Sequence, residues 1–317
     1  MKVIKNILFA GLCLIAFGAA VVISFLLSVR LINQRHLAPI QVDWDDTVGY
    51  VLSDLSYGEG ELNTYDLYVP ADLPQGQPCS LILLIHGGGF TGGDKSEGIH
   101  WCRYFASKGI LSASINYTLL TGDGIDGLPL QYQEVGQAVE AIYEKARALG
   151  FAVTEMATTG GSAGGTLALM YAYNQPEDAP IPVKFVFEEV GPCTFNPEGW
   201  GNTTDEEKAT FITMMSGQSI TAEMVASGEA QQVVDAISPV SYVSESTVPT
   251  LLAYGLKDNV VPPNLRYFLL EKLEEYNVPY TYIEFPNSGH GMLNDPDKTV
   301  EYVEKVTEYL ERYFENN

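Results

Sequence analysis

With 317 residues and a formal charge of −23, the chain is a poor candidate for nucleic acid, whose phosphates demand clustered Lys and Arg. Its 46% hydrophobic and 11% aromatic content is ample for a core and excludes a disordered protein. So acidic a surface keeps a protein soluble but names no partner.

The first feature in chain order stands apart from the rest. Lys2 and Lys5 precede an uncharged apolar run, residues 7–29, that ends at Arg30. A run of that length can cross a bilayer core of about 30 Å as a helix. A cleaved signal has a shorter apolar region closing on small residues. Here Gly18-Ala19-Ala20 is followed by further apolar sequence, VVISFLL. Residues 1–36 are therefore expected to be an uncleaved membrane anchor, with residues 37–317 as one domain outside the cytoplasm. A cleaved signal and secretion is the alternative. Positive charges lie on both sides of the run, so they orient it only weakly. Residues 1–40 contain four basic side chains and no acid, which leaves −27 on residues 41–317.

Beyond the anchor, strand-like runs fall at residues 49–55, 64–69, 81–85, 110–116, 155–159, 183–188, 250–254 and 280–285. Helical patterns lie among them, at 99–107, 132–149, 162–174, 263–276 and 298–314. Strands alternating with helices of this length predict an α/β protein, a mostly parallel sheet of about eight strands. The first two strands have no helix between them and predict an antiparallel edge. Residues 191–247 break the rhythm. They carry Phe195, Trp200, Phe211, Met214 and Met215 and a helical stretch, TAEMVASGEAQQVVDAI. A structureless loop of that length would be unusual, so the segment is expected to be a helical lid that shapes the substrate pockets.

Of the four cysteines, Cys13 falls in the anchor and Cys79, Cys102 and Cys193 in the body, which gives no disulfide framework. His36, His86, His100 and His290 are too scattered for a metal site, and no CxxC spacing occurs.

Two glycine-rich stretches carry chemistry. In LILLIHGGGFTGGDK, residues 81–95, an apolar strand runs into His86 and then Gly87, Gly88 and Gly89. Three glycines in a row cost up to roughly 1 kcal/mol each in backbone entropy, which suggests that something must approach this backbone closely. In TTGGSAGGTLALMYAY, Ser162 stands between a strand and a helix with the spacing G-x-S-x-G. A sharp strand-to-helix turn there projects the hydroxyl from the top of the sheet. Taken singly, Ser162 could be a helix N-cap.

A Ser hydroxyl needs a base to take its proton, and the base needs an orienting acid. The architecture requires both later in the chain, acid before His, each after a strand. TLLAYGLKDNVVP supplies Asp258, and YIEFPNSGHGM supplies His290. Singly these are a turn residue and a loop His; in this order they make a nucleophile, an acid and a base. The glycines then have a purpose. Backbone N–H groups of Gly88 and Gly89, with that of Ala163 after the nucleophile, can reach the oxyanion of a tetrahedral intermediate, and one such donor is typically worth about 3 kcal/mol. His86 is expected to hold the loop by hydrogen bonding.

HGGGF, GGSAGG, YGLKDNVVP and SGHGM together resemble the α/β-hydrolase superfamily. More closely they are similar to the carboxylesterases related to hormone-sensitive lipase and to the bacterial feruloyl and acetyl-xylan esterases. The likeness covers about residues 47–317, with SINYTL and ISPVSYV in matching places. Gly161 departs from it, standing where the lipase-like branch usually has Asp, and so does Thr118, where relatives often have Arg. The resemblance implies Ser162 as nucleophile, Asp258 as acid, His290 as base, and Gly88, Gly89 and Ala163 as oxyanion donors, with no cofactor and no metal. It implies hydrolysis of short-acyl esters, small-molecule or carbohydrate-linked. The alternatives are a peptidase similar to the prolyl oligopeptidases, and a non-catalytic binding module on the same fold.

Overall fold

The computed structural model describes residues 37–121 and 127–316, and Ile40–Asn317 form one compact unit. The expected anchor at residues 1–36 lies outside the described residues. Among those described, no helix is long and apolar enough to cross a membrane.

Eight strands make a single sheet: β1 (Gly49–Ser56), β2 (Thr64–Pro70), β3 (Pro78–Ile85), β4 (Leu111–Ile115), β5 (Ala152–Gly161), β6 (Val183–Glu189), β7 (Thr250–Gly255) and β8 (Tyr280–Phe285). Their order is β1-β2-β4-β3-β5-β6-β7-β8. The β1–β2 and β2–β4 pairs are antiparallel and all the others parallel. The predicted antiparallel edge is present. The central strands read as unbroken apolar runs because both of their faces are covered, and Cys79–Ile85 of β3 is buried throughout.

The helices are α1 (Ile99–Ser107), α2 (Leu128–Ala148), α3 (Ala163–Tyr173), α4 (Asp205–Ser216), α5 (Ala222–Ser227), α6 (Gln231–Ile237), α7 (Arg266–Glu275) and α8 (Pro296–Tyr313). Helix α8 buries Thr299, Tyr302, Val303, Val306, Tyr309 and Leu310, one stripe at helical spacing, and begins on a proline, whose fixed φ suits a first turn. Successive β5 side chains show the sheet's two faces. The Thr158 hydroxyl bonds Ala168 O of α3 at 2.9 Å, whereas Thr159 points to the cavity that Trp101 of α1 and Tyr302 of α8 also line. Helix α2 starts at Leu128, earlier than expected, because Gly127 and Pro129 set its first turn. The predicted helix at 263–276 divides into a 3₁₀ turn, Pro263–Leu265, and α7.

Parallel pairing aligns the strand ends that matter. Ile85 pairs with Gly160, Gly161 with Glu189, Glu189 with Ala253, and Gly255 with Phe285. The loops after β3, β5, β6, β7 and β8 therefore leave the same edge of the sheet side by side. Ligands of open α/β sheets bind at this carboxyl edge.

The segment 191–247 is helical, as expected. Helix α4 opens with a reciprocal cap between Thr204 and Glu207. Ala209, Ile212, Ile220, Ala230 and Val234 give the insertion a small core of its own.

Candidate active site

Ser162 occupies the tight turn between β5 and α3 at φ 55° and ψ −124°. Its side chain caps nothing in the helix; its Oγ lies 2.9 Å from His290 Nε2. The helix-cap alternative therefore falls. The turn is held by the Ser162 amide, which donates to Glu189 O at 2.8 Å, and by close approach of neighbouring backbone. A Cβ on Gly164 would sit 2.0 Å from Ile85 O, so β3 and α3 can touch only at glycine. Gly161 is under no such constraint, since a Cβ there would meet only Glu189 O at 3.8 Å.

His290 Nδ1 lies 2.8 Å from Asp258 Oδ2, completing the chain of three side chains. Asp258 is 7% exposed, and its Oδ1 accepts from the amides of Val260 at 2.8 Å and Val261 at 3.0 Å. Those two amides fix the carboxylate, leaving one oxygen for the imidazole. The His290 loop is tied beneath by Asp295, which accepts from the Asn287 amide at 2.9 Å and from Ser288 Oγ at 2.7 Å. Burial works against the charge of Asp295, but these hydrogen bonds prevail and hold its pKa below the usual carboxylate value.

The glycine loop after β3 folds around Gly88 at φ 109° and Gly89 at φ 62°. A Cβ on Gly88 would come within 2.2 Å of Gly92 O. The amides of Gly88, Gly89 and Ala163 make no hydrogen bond among the described residues. His86 is buried, with Nδ1 2.7 Å from Gly87 O and its ring stacked on Tyr117 at 4.3 Å. Burial lowers its pKa and keeps the ring neutral. The Tyr117 hydroxyl donates to His86 O at 2.9 Å. Gln131 Nε2 donates to Phe90 O at 3.0 Å and to Thr118 O at 2.8 Å, clamping the loop from α2. Gln131 has no sequence signal beyond its polarity, because its partners lie in other elements; Tyr117 has only its place in SINYTL, and Asp295, though seven and eight residues from its partners, belongs to no motif.

All the expected site residues converge, and Ser162, His290, Gly88 and Gly89 open onto one cavity of about 520 Å³. Its walls include Leu84, Trp101, Glu189, Val190, Met292 and Tyr302. No residue of 191–247 lines it, which corrects the expectation that this segment shapes the pocket. The reason is packing. Phe195 is fully buried, its ring stacked on Trp200 at 6.1 Å and tilted against Phe211 at 6.3 Å, so these aromatic faces are occupied by one another. Instead Glu189 faces the cavity, and burial lifts its carboxyl from 4.5 to about 7. Its neighbour Glu188 is fully buried, also with a raised pKa, and its Oε2 accepts from the Gly191 amide at 2.6 Å.

Backbone strain concentrates here. Phe90, Ser162, Val190 and Met292, at φ 67°, 55°, 50° and 55°, all lie in the left-handed region. Three of the four line the cavity, and Phe90 follows the glycines.

The sequence matches the BD-FAE family over residues 65–273. It is similar to the esterase LipC of Mycobacterium tuberculosis, at 23% identity over 74% of this chain and 58% of the relative. It is also similar to the acylamino-acid-releasing enzyme of Arabidopsis thaliana, at 28% identity over 83% of this chain and 34% of that protein. The chain thus spans about a third to three fifths of the length of these relatives. Among solved structures, a truncated carbohydrate esterase from gut microbiota superposes with a TM-score of 0.69 at 18% identity, covering 86% of this chain and 99% of the other. Esterase B of Lactobacillus rhamnosis gives 0.65 at 20% identity, covering 94% and 95%. At such identities these likenesses establish the fold, which is that of the α/β-hydrolases.

Proposed function

The chain belongs to the BD-FAE family, and on that premise we propose that it is a serine carboxylic-ester hydrolase working through an acyl-enzyme. The observation that carries this is the unbroken line Ser162 Oγ–His290–Asp258 beside three free amides. His290 Nε2 takes the hydroxyl proton as Oγ attacks the carbonyl carbon. The carbonyl oxygen becomes an oxyanion and accepts from the Gly88, Gly89 and Ala163 amides. As the intermediate collapses, His290 returns the proton to the departing alcohol. Water then enters, is deprotonated by the same imidazole, and releases the acid. Relatives described as an esterase and a probable carboxylic ester hydrolase support the same chemistry.

Short acyl groups are the proposed substrates, supported by a cavity of about 520 Å³ with Glu189 and Glu97 among its lining residues. Acetyl to butyryl p-nitrophenyl esters should be cleaved far faster than the decanoate or a prolyl anilide. Acetylated xylan belongs in the same panel, since one structural neighbour is a carbohydrate esterase. Comparable kcat/KM on the anilide would favour a peptidase.

Residues 1–36 are proposed as an anchor that holds the domain at the outer face of a membrane, supported by the apolar run at 7–29. The full chain should stay with membranes through an alkaline carbonate wash. A mature N-terminus beyond Arg30 would replace the anchor with a cleaved signal.

A further inference from the structure

Glu189 is a carboxylate that the hydrolytic steps do not use. It ends β6, with its backbone carbonyl bonded to the Ser162 amide and its side chain on the wall of the cavity that holds Ser162. That carboxylate has no hydrogen-bond or ion-pair partner among the described residues. No Lys or Arg lines the cavity, and its two imidazoles are engaged, His290 with Asp258 and Ser162 and His86 with Gly87. Glu97 adds a second carboxylate to the cavity wall. The remaining wall there is aromatic. Trp101 meets Tyr302 edge to face, with ring centroids 6.3 Å apart, and burial first and Glu189 second oppose ionisation of the Tyr302 hydroxyl.

An unpaired carboxylate in a confined apolar space is costly; protonation relieves that cost, as the raised pKa of Glu189 reflects, and a cation beside it would let it keep its charge. Aromatic faces beside a carboxylate are the surroundings that hold an ammonium group. A neutral acyl chain would gain the apolar contacts but leave the carboxylate unpaired. We propose that Glu189 is a specificity-determining residue, the counter-ion for an ammonium group carried on the arm of the ester that enters this cavity. This selectivity presupposes the serine-esterase chemistry proposed above and narrows its substrates to esters of amino acids or amino alcohols.

Isosteric pairs that exchange one carbon for an ammonium nitrogen test this directly. On the acyl side, phenyl 3-aminopropionate is compared with phenyl butyrate. On the alcohol side, 2-(dimethylamino)ethyl acetate is compared with 3-methylbutyl acetate. Phenyl 3-hydroxypropionate controls for a neutral hydrogen-bond donor. For one arm, the ammonium ester should exceed its isostere by about 10-fold or more in kcat/KM, mainly through KM, as expected of a hydrogen bond to a charged group. In Glu189→Gln that ratio should fall towards one. The wild-type ratio alone can overturn the inference, whether or not the variant folds. Parity on both arms would do so, as would an equal gain for the hydroxy ester or a preference that survives in Glu189→Gln. In each of those cases continued hydrolysis of phenyl butyrate leaves the esterase chemistry standing. No hydrolysis of any ester, with Ser162 unlabelled by a fluorophosphonate, would instead remove the esterase chemistry itself.

Discussion

Ser162→Ala should lower kcat on a short-acyl ester by on the order of 10⁶-fold, because the nucleophile and the base act as a unit. The fold should survive the change. Among the described residues the Ser162 side chain makes a single hydrogen bond, to His290, and Ala must adopt the same φ of 55° that Ser already tolerates. Thermal melting should therefore stay close to that of the wild type while turnover and fluorophosphonate labelling both vanish. Residual hydrolysis above about a hundredth of wild type, in a protein free of contaminating esterase, would mean that the nucleophile lies elsewhere.

Asp258→Asn is expected to cost about 10⁴-fold in kcat, and the hydrogen bonds explain why so small a change does so much. The amides of Val260 and Val261 claim one oxygen of the side chain. In an asparagine they keep that oxygen, so the new NH₂ group takes the position that faces His290 Nδ1. A donor there demands an acceptor, which moves the ring proton to Nε2, the atom that must receive the proton of Ser162. The imidazole is then held in place in the wrong tautomer. Stability should change little, and the kcat of the purified variant on butyrate is the measurement. A loss below about tenfold would remove Asp258 from the orienting role.

Much of this was legible in the chain because the relevant signals are local. The apolar runs of β3 and β5 mark central strands, and glycines at 160 and 164 mark the turn where backbones touch. Asp258 and His290 could be placed because a parallel sheet brings every strand end to one edge, so chain order stands in for position. The supports of the site were not legible. Gln131 reaches the glycine loop from a helix, a contact that depends on packing, and Asp295, although only seven residues from Ser288, sits in no motif that marks it. Glu189 passed as the polar end of a strand, since nothing in the residues VFEE tells which carboxylate will face a cavity. The roles of the aromatic residues of 191–247 are left open by the chain for a different reason. Phe195, Trp200 and Phe211 suit a substrate wall or a small core equally well, and only their mutual stacking decides it.

The four left-handed residues around the cavity have a consequence for attempts to make the protein hardier. Each holds a conformation that costs of order 1–3 kcal/mol for a residue with a side chain, and Val190, being β-branched, is the most ill-suited of them. Glycine would relieve that cost, but Phe90, Val190 and Met292 are buried, and emptying their places would cost about 2–5 kcal/mol each. A screen for heat resistance should therefore gain nothing at positions 90, 190 and 292, where the packing of each side chain outweighs the strain of its angles. Packing thus locks the strained angles in place beside the serine, so thermostable variants worth keeping will come from surfaces far from this edge of the sheet.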